Sequence, residues 1–213
     1  MLISGGGTNL QALLEAIDAD DDFGGEVVVV GADRRDAGGL AHATGRDIPV
    51  EVHELADSPD RATWEATLAD RIAAHDVDIV VLAGFMKILS AAFVARWPDR
   101  IVNTHPALLP AFRGAHAVRD ALAAGVKVAG ATVHLVDVEV DAGAILGQRP
   151  VAVEADDDEE SLHARIRAVE HELLPDCVRA LCQDRVERVG DIVHIRGARN
   201  SGGRASTDSE EPS

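Results

Sequence analysis

The chain has 213 residues, a net charge of −17, 46% hydrophobic residues and only two lysines. Its length suits one α/β domain with a sizeable core, and its negative charge argues against binding the phosphate backbone of nucleic acids. No apolar run approaches the about 20 residues that span a bilayer, and no basic segment followed by an apolar one suggests a signal peptide, so we expect a cytoplasmic protein.

Short β-branched runs alternate with amphipathic helical segments, a pattern typical of a mostly parallel sheet with helices on both faces. The predicted strands are 2–4, 26–31, 49–53, 78–83, 100–104, 131–136 and 145–153. The predicted helices are 9–17, 38–44, 60–75, 91–96, 117–124 and 159–183. Ser58 and Pro59 would be the N-cap and first residue of the third helix, and Pro175 should kink or split the last one. A hairpin of Val186–Val189 and Ile192–Ile195 follows, and the polar composition of residues 197–213 predicts a disordered acidic tail.

A glycine-rich turn, residues 4–9 (SGGGTN), follows the first strand and opens a helix. Glycines let a ligand approach the backbone closely, and the free amides of a helix N-terminus favour an anion. The run is neither a dinucleotide fingerprint nor a Walker loop, since no lysine follows. We interpret it as a phosphate site, and a plain strand-to-helix turn is the alternative.

The loop after the fourth predicted strand, residues 83–90 (AGFMKILS), is too apolar for an ordinary surface loop. Such a loop at the carboxyl end of a strand could hold a flat heteroaromatic ligand. A loop packed on the core would explain the same composition. Residue type alone therefore leaves both interpretations open.

The stretch 101–110 (IVNTHPALLP) delivers Asn103 and His105 to the end of a strand. Because they are two residues apart, they would share one face if both still belong to the strand. An amide can bind a developing oxyanion and an imidazole can move a proton, which are the two requirements of acyl-group transfer. The alternative is a strand that ends in polar turn residues.

An acidic loop, residues 137–143 (DVEVDAG), follows the sixth predicted strand. If it lies at the sheet edge that carries His105, one of its carboxylates would favour the charged form of the imidazole, as a general acid requires. A solvated loop is the alternative in a chain this acidic. The residues themselves do not choose between Asp137 and Asp141.

The remaining candidates carry weaker signals. Cys177 and Cys182 would lie on different faces of a helix, and the 9 histidines follow no ligand spacing, so we predict neither a disulfide nor a metal site. Structural roles are expected for Arg113, His116 and His134. The excess of acidic residues also suggests an adaptation to high internal salt, where charge repulsion is screened.

Taken together, four separated segments resemble the phosphoribosylglycinamide formyltransferase family, which is folate-dependent. They are 2–11 (LISGGGTNLQ), 82–90 (LAGFMKILS), 103–110 (NTHPALLP), and 130–134 (GATVH) with 140–143 (VDAG), in the family's order and spacing. The resemblance implies a Rossmann-like formyltransferase fold in one domain, residues 1–196. Within it, 1–100 would bind the ribonucleotide phosphate, and 101–196 would carry catalysis and the folate.

The resemblance implies transfer of a formyl group from 10-formyltetrahydrofolate to the amine of glycinamide ribonucleotide in purine biosynthesis. It implies that Asn103 bonds the formyl oxygen, that His105 donates the proton, and that Asp141 favours charged His105 and relays the proton. The implied ribonucleotide contacts are Gly7, Thr8, Asn9 and Glu170. The implied folate contacts are Arg61, Met86, Lys87, Ile88, Leu89 and Asn103, with loop 137–143 over the pterin.

No metal, nucleic acid or membrane is implied, and the protein would be a monomer or homodimer that binds only small molecules. Lys87 stands where arginine is common in the family, so its folate contact would be looser. Two alternatives remain: another formyltetrahydrofolate enzyme, such as a deformylase-type hydrolase, or a non-catalytic folate- or nucleotide-binding module. A tRNA formyltransferase would need a basic surface, which this chain lacks.

Overall fold

One seven-stranded sheet runs through the computed structural model, which describes residues 1–197. Its strands are β1 (Leu2–Ile3), β2 (Val30–Ala32), β3 (Val50–Val52), β4 (Val80–Leu82), β5 (Ile101–His105), β6 (Val128–Leu135) and β7 (Ile145–Ala152). Their order across the sheet is β3-β2-β1-β4-β5-β6-β7, with β1 to β5 parallel and β6 and β7 antiparallel at one edge. The predicted mostly parallel sheet is confirmed. A separate hairpin pairs β8 (Val186–Val189) with β9 (Ile192–Ile195), as predicted.

Helices connect these strands. Within residues 1–197 they are α1 (Thr8–Asp18), α2 (Leu40–Thr44), α3 (Arg61–Ala73), α4 (Ala91–Val94), α5 (Ala117–Ala123) and α6 (Glu159–Cys182), with a 3-10 helix at Leu55–Asp57. They cover both faces of the sheet. Neighbouring residues of a strand point to opposite faces, so the contacts of two successive residues show which helix covers each face. Leu2 of β1 packs in one apolar cluster with Trp64 of α3, whereas Ile3 packs in another with Leu10 of α1.

The direction of the chain across the sheet reverses between β1 and β4. Ligands of open α/β sheets bind outside the carboxyl ends of the strands at such a reversal. The glycine turn follows β1 and loop 83–90 follows β4, so the two predicted ligand-binding segments are neighbours. The backbone N–H of Met86 donates to the buried Ser4 hydroxyl at 2.9 Å and ties them together.

The second strand begins later than predicted. Residues 26–31 were expected to pair, but β2 begins at Val30. Its neighbour β1 has only two residues, so the earlier valines have no ladder to join. Strand length is therefore set here by the partner rather than by the β-propensity of the valine run.

The predicted N-cap of the third helix is wrong by two residues. Helix α3 begins at Arg61, and the N-cap is Asp60, whose carboxylate accepts the Thr63 N–H at 2.7 Å. Ser58 instead ends the 3-10 turn, and its hydroxyl lies 3.0 Å from His53 Nε2. A carboxylate is the better cap because it also meets the positive end of the helix dipole.

Helix α6 continues through Pro175, so the predicted split does not occur. Pro175 is buried, as are Leu173 and Leu174 before it, and the helix as a whole packs against α1, β6 and β7. Burial of these apolar side chains offsets the one backbone hydrogen bond that proline cannot make. Glu170 lies on the same continuous helix, one turn and a half before Pro175.

Apart from Gly197, the predicted tail lies outside the described residues. The helices found among residues 1–197 are all too short or too polar to cross a bilayer. The division into a 1–100 half and a 101–196 half stays a prediction.

Candidate active site

The glycine turn forms a concave backbone segment at the start of α1. Gly7 is the N-cap with a left-handed backbone (φ 71°), and no side chain caps the helix. The first backbone bond of α1 runs from the Gln11 N–H to the Gly7 carbonyl at 2.9 Å, so the amides before Gln11 have no partner within the helix. Gly5 and Gly6 are exposed. The turn therefore offers open amides to an anion, as expected from its sequence.

Glu170 is brought to this turn from α6. It is 5% exposed, and its two oxygens accept the Asn9 amide at 3.3 Å and the Thr104 hydroxyl at 3.1 Å. The buried Asn9 Oδ1 has no partner within residues 1–197 and remains available as an acceptor. The structure thus brings Glu170 to the turn that contains Gly7 and Asn9. Asn9 and Glu170, which are hydrogen-bonded, are 161 residues apart in the sequence. Thr104 was not predicted, although it sits between two predicted catalytic residues.

Loop 83–90 forms an open cavity of about 390 Å³ with Arg61. Met86 and Ile88 are 78% and 65% exposed, whereas Phe85 and Leu89 are buried in the core, so the loop packs on the core and also presents apolar surface. Arg61 donates to the Ile88 carbonyl, and buried Glu65 accepts the Ser90 N–H at 2.7 Å. Five of the six predicted folate contacts therefore line one cavity, and the sixth, Asn103, lies outside its lining. Glu65 was missed by sequence reasoning.

Lys87 points inward from the same loop. Its ammonium lies 3.4 Å from a carboxylate oxygen of Asp33, whose side chain is 2% exposed. The other oxygen, Asp33 Oδ1, has no partner within residues 1–197, so Lys87 is the cation that compensates this buried charge. Asp33 directly follows β2, and its position after a strand was the signal that could have identified it.

Strand β5 carries Asn103 and His105, and both still belong to the strand. They therefore share one face, while Thr104 points to the other and reaches Glu170. His105 is 5% exposed and pairs with Thr132 of β6 across the ladder. The predicted common face of amide and imidazole is present.

Asp141, rather than Asp137, lies beside His105. Its Oδ2 is 3.4 Å from His105 Nδ1, and its Oδ1 is 3.7 Å from His134 Nε2. The acidic loop starts away from His105, because β6 is antiparallel to β5 and its last residue, Leu135, pairs with Val102 near the start of β5. The loop folds back over the sheet to bring Asp141, which has a left-handed backbone (φ 51°), to the imidazole.

Segment 110–116 covers this cluster with its backbone. The Phe112 carbonyl lies 2.8 Å from His105 Nε2, and the Gly114 N–H donates to Asp141 Oδ2 at 2.8 Å. Arg113 also pairs with Glu139 of the acidic loop at 2.8 Å. Both ring nitrogens of His105 thus face acceptors, an arrangement that suits an imidazolium with two N–H donors.

His134 was expected to be structural, but it contacts the cluster directly. Its Nδ1 lies 2.8 Å from the Leu135 carbonyl and must donate to it, so Nε2 accepts the Asn103 amide at 3.3 Å. Burial lowers the pKa of His134 below its ordinary 6.5, which keeps the ring neutral and able to accept. This bond orients the Asn103 amide, and its second N–H has no partner within residues 1–197. Its position opposite Asn103 in the antiparallel pair could not be read from spacing.

A pH-dependent loss of stability follows from His134. The unfolded chain binds a proton at an ordinary pKa of 6.5, whereas the folded chain binds it only at lower pH, so stability should fall as pH drops below about 6.5. Urea unfolding at about pH 7.5 and about pH 5.5 should show a smaller pH difference for His134→Gln than for the unmodified protein. Burial also lowers the pKa of His53 and His171, so part of the difference will persist.

The control is His194→Gln on the exposed face of β9, which should retain the full pH difference. An undiminished pH difference in His134→Gln would contradict a neutral buried ring.

Known proteins are similar to this chain in sequence and in fold. A family model described as formyl transferase matches residues 1–178. The chain is 50% identical to phosphoribosylglycinamide formyltransferase from Mycobacterium tuberculosis over 190 residues, 89% of this chain and 87% of that protein. It is 45% identical over 176 residues to the trifunctional purine biosynthetic protein adenosine-3 of Drosophila melanogaster, 82% of this chain and 13% of that longer one. The crystal structure of glycinamide ribonucleotide transformylase 1 from Symbiobacterium toebii matches with a TM-score of 0.88 and 43% identity over 91% of each chain.

Proposed function

Because this chain belongs to the formyl transferase family, we infer that it formylates glycinamide ribonucleotide in purine biosynthesis. The observation that carries the inference is the convergence of Asn103, His105 and Asp141 between an open glycine turn and an apolar cavity. The formyl donor is 10-formyltetrahydrofolate, a co-substrate that the family's chemistry calls for.

The two substrates occupy the two halves of this site. The ribonucleotide phosphate binds the turn at Gly7, Thr8 and Asn9, where amides with no partner within the helix and the helix dipole favour an anion. Glu170, which accepts hydrogen bonds from Asn9 and Thr104, contacts a polar group of the ribonucleotide. The amine then lies toward β5, where the reaction takes place.

The folate lies in the cavity formed by Arg61 and the segment from Met86 to Leu89. Exposed Met86 and Ile88 supply an apolar surface for a flat ring system. Lys87 contributes through its backbone and side-chain stem, because its ammonium is engaged with Asp33. Asn103, at the boundary of the two halves, is near both substrates.

Acyl transfer at this site follows from the polar groups present. The ribonucleotide amine attacks the formyl carbon, a new C–N bond forms, and the formyl oxygen gains negative charge that the free N–H of Asn103 stabilises. The bond from the formyl carbon to the folate nitrogen then breaks as His105 delivers a proton to that nitrogen. The amine loses one proton, which returns to the imidazole with Asp141 facing its Nδ1, so the proton count balances.

For His105 to act, the substrate takes the place of the Phe112 carbonyl at Nε2. Phe112 has a left-handed backbone (φ 54°) next to Gly114 (φ 91°), both within segment 110–116. Asp141 keeps its own contact at Nδ1 and holds the ring during this exchange.

The proposed reaction is tested by tetrahydrofolate release from 10-formyltetrahydrofolate. Release should require glycinamide ribonucleotide, and ribose 5-phosphate, which has the phosphate but no amine, should not support it. Release without any acceptor would instead indicate a deformylase-type hydrolase. Binding of both ligands with no release would indicate a non-catalytic binding module and contradict the proposal.

A further inference from the structure

The glycine turn is in unusually close contact with a second glycine, from the segment that leads into α2. A Cβ built on Gly39 would lie 2.8 Å from Gly7 Cα and 3.1 Å from Gly7 N, and one built on Gly7 would lie 2.6 Å from Gly39 Cα. We propose that Gly39 is a positioning residue that sets the shape of the phosphate-binding turn. The proposal rests on the proposed function and goes beyond it by naming a determinant outside the turn itself.

Space, rather than backbone conformation, explains a glycine at position 39. Its backbone is ordinary and helical (φ −64°, ψ −17°), a conformation that alanine adopts readily. Gly7, in contrast, needs glycine for its left-handed backbone as well. An alanine at 39 would therefore be tolerated, even favoured, if Gly7 were not packed against it.

A hydrogen bond also joins the two segments. The Gly39 N–H donates to the Gly5 carbonyl at 3.0 Å. Helix α1 has no side-chain cap that would fix the turn. The position of the turn therefore depends on this hydrogen bond and on the contact between Gly7 and Gly39. Ser4, on the other side of the turn, is held by the Met86 N–H at 2.9 Å.

Gly5 and Gly6 show the opposite environment. A Cβ at either position would meet no atom within 4 Å, and both residues are exposed. The turn thus has one closed side, where Gly7 meets Gly39, and one open side at Gly5 and Gly6. A phosphate can approach only the open side, so the Gly39 contact determines the positions of the amides that would surround it.

A methyl group at position 39 should displace Gly7 and weaken binding of the phosphate-bearing substrate alone. A displaced amide would weaken a hydrogen bond to the charged phosphate, and each tenfold loss of affinity corresponds to about 1.4 kcal/mol. The folate cavity is anchored separately by Arg61 and Glu65, so its affinity should not change. For Gly39→Ala we therefore expect KM for glycinamide ribonucleotide to rise about tenfold, while kcat and KM for the folate stay within about twofold.

The matched control is the neighbouring Gly38→Ala. A Cβ there would lie 3.8 Å from Gly6 Cα, an ordinary contact, so both KM values should be unchanged. A second measurement avoids turnover: ribose 5-phosphate should raise the melting temperature of Gly38→Ala as it does that of the unmodified protein. The shift should be reduced in Gly39→Ala.

One further contact of the added methyl must be separated from the turn. The built Cβ of Gly39 also lies 2.8 Å from Ile3 Cδ1, at the end of a flexible side chain. Gly39→Ala in an Ile3→Val background removes this clash, and Ile3→Val alone serves as its reference. The ribonucleotide defect should persist in the double variant, because the clash with the Gly7 backbone remains.

Three results would overturn the proposal: equal kinetics of Gly39→Ala and Gly38→Ala, equal increases in both KM values, or failure of Gly39→Ala to fold in both backgrounds. The last result would assign Gly39 to folding rather than to the turn. If instead the unmodified protein does not use glycinamide ribonucleotide, that result contradicts the proposed function and not the role of Gly39. The melting measurement with ribose 5-phosphate still reports on the turn.

Discussion

Replacing His105 with alanine should reduce kcat by about 100- to 10,000-fold, the range lost when a general acid is removed. His105 rather than its neighbour His134 would carry a proton to the departing folate nitrogen, because His134 is kept neutral by burial and donates its one N–H to the Leu135 carbonyl. The ring faces Asp141 at 3.4 Å, so its charged form has a partner. Steady-state kinetics with both substrates at saturation measures the effect.

Binding and folding should survive this change. The predicted ribonucleotide contacts and the cavity at Arg61 and loop 83–90 do not include His105. Equilibrium binding of tetrahydrofolate, the unreactive product, should therefore stay close to that of the unmodified protein. His105→Gln, which refills the buried position with a polar side chain, distinguishes a lost proton donor from a cavity.

The control for His105 is His194→Ala on the exposed hairpin strand β9, which should keep normal turnover. Turnover of His105→Ala within a few-fold of normal would remove the proton-transfer role.

Asn103→Asp should lower kcat by about 100- to 1000-fold, as removal of one oxyanion donor does. The substitution keeps the shape of the side chain and replaces the donating Nδ2 with an oxygen. That oxygen would also face the lone pair of His134 Nε2, now at 3.3 Å from the amide nitrogen. KM for each substrate should change little, because the lost bond strengthens only as charge develops on the formyl oxygen.

Asn103→Ala tests the same loss without the added negative charge. If the donor is what matters, both variants should fall into the same range of kcat. Wild-type kcat in Asn103→Ala, or a large increase in folate KM with kcat unchanged, would show that Asn103 binds the ground state and not the transition state. Unfolding midpoints of both variants provide the structural reference.

Local features of the fold followed directly from residue order. The spacing of Asn103 and His105 predicted their common face, since side chains of a strand alternate with a period of two. The glycine run predicted an open helix N-terminus, because free amides are a property of any helix start. The hairpin at Val186–Val189 and Ile192–Ile195 followed from its Gly-Asp turn.

Features set by neighbours in space were predicted less well. Strand β2 was expected to begin four residues earlier, but the two-residue β1 offers no partner there. The cap of α3 is Asp60 rather than Ser58, because Ser58 ends the preceding 3-10 helix and the Asp60 carboxylate accepts the Thr63 N–H. Pro175 was expected to interrupt α6, and packing of a buried helix face overrode the local penalty.

The sequence by itself determined which chemical groups end each strand: open amides after β1, an apolar loop after β4, and an amide and an imidazole on one face of β5. Only the tertiary structure decided that His134 orients Asn103 and that Gly39 closes one side of the turn. It also places Asp141 rather than Asp137 beside His105, a choice that the residue pattern left open and the resemblance implied. The physical reason is the distance along the chain over which each effect acts. Backbone periodicity acts over a few residues, whereas these contacts join loops and strands whose distance depends on strand direction and on the path of the intervening chain.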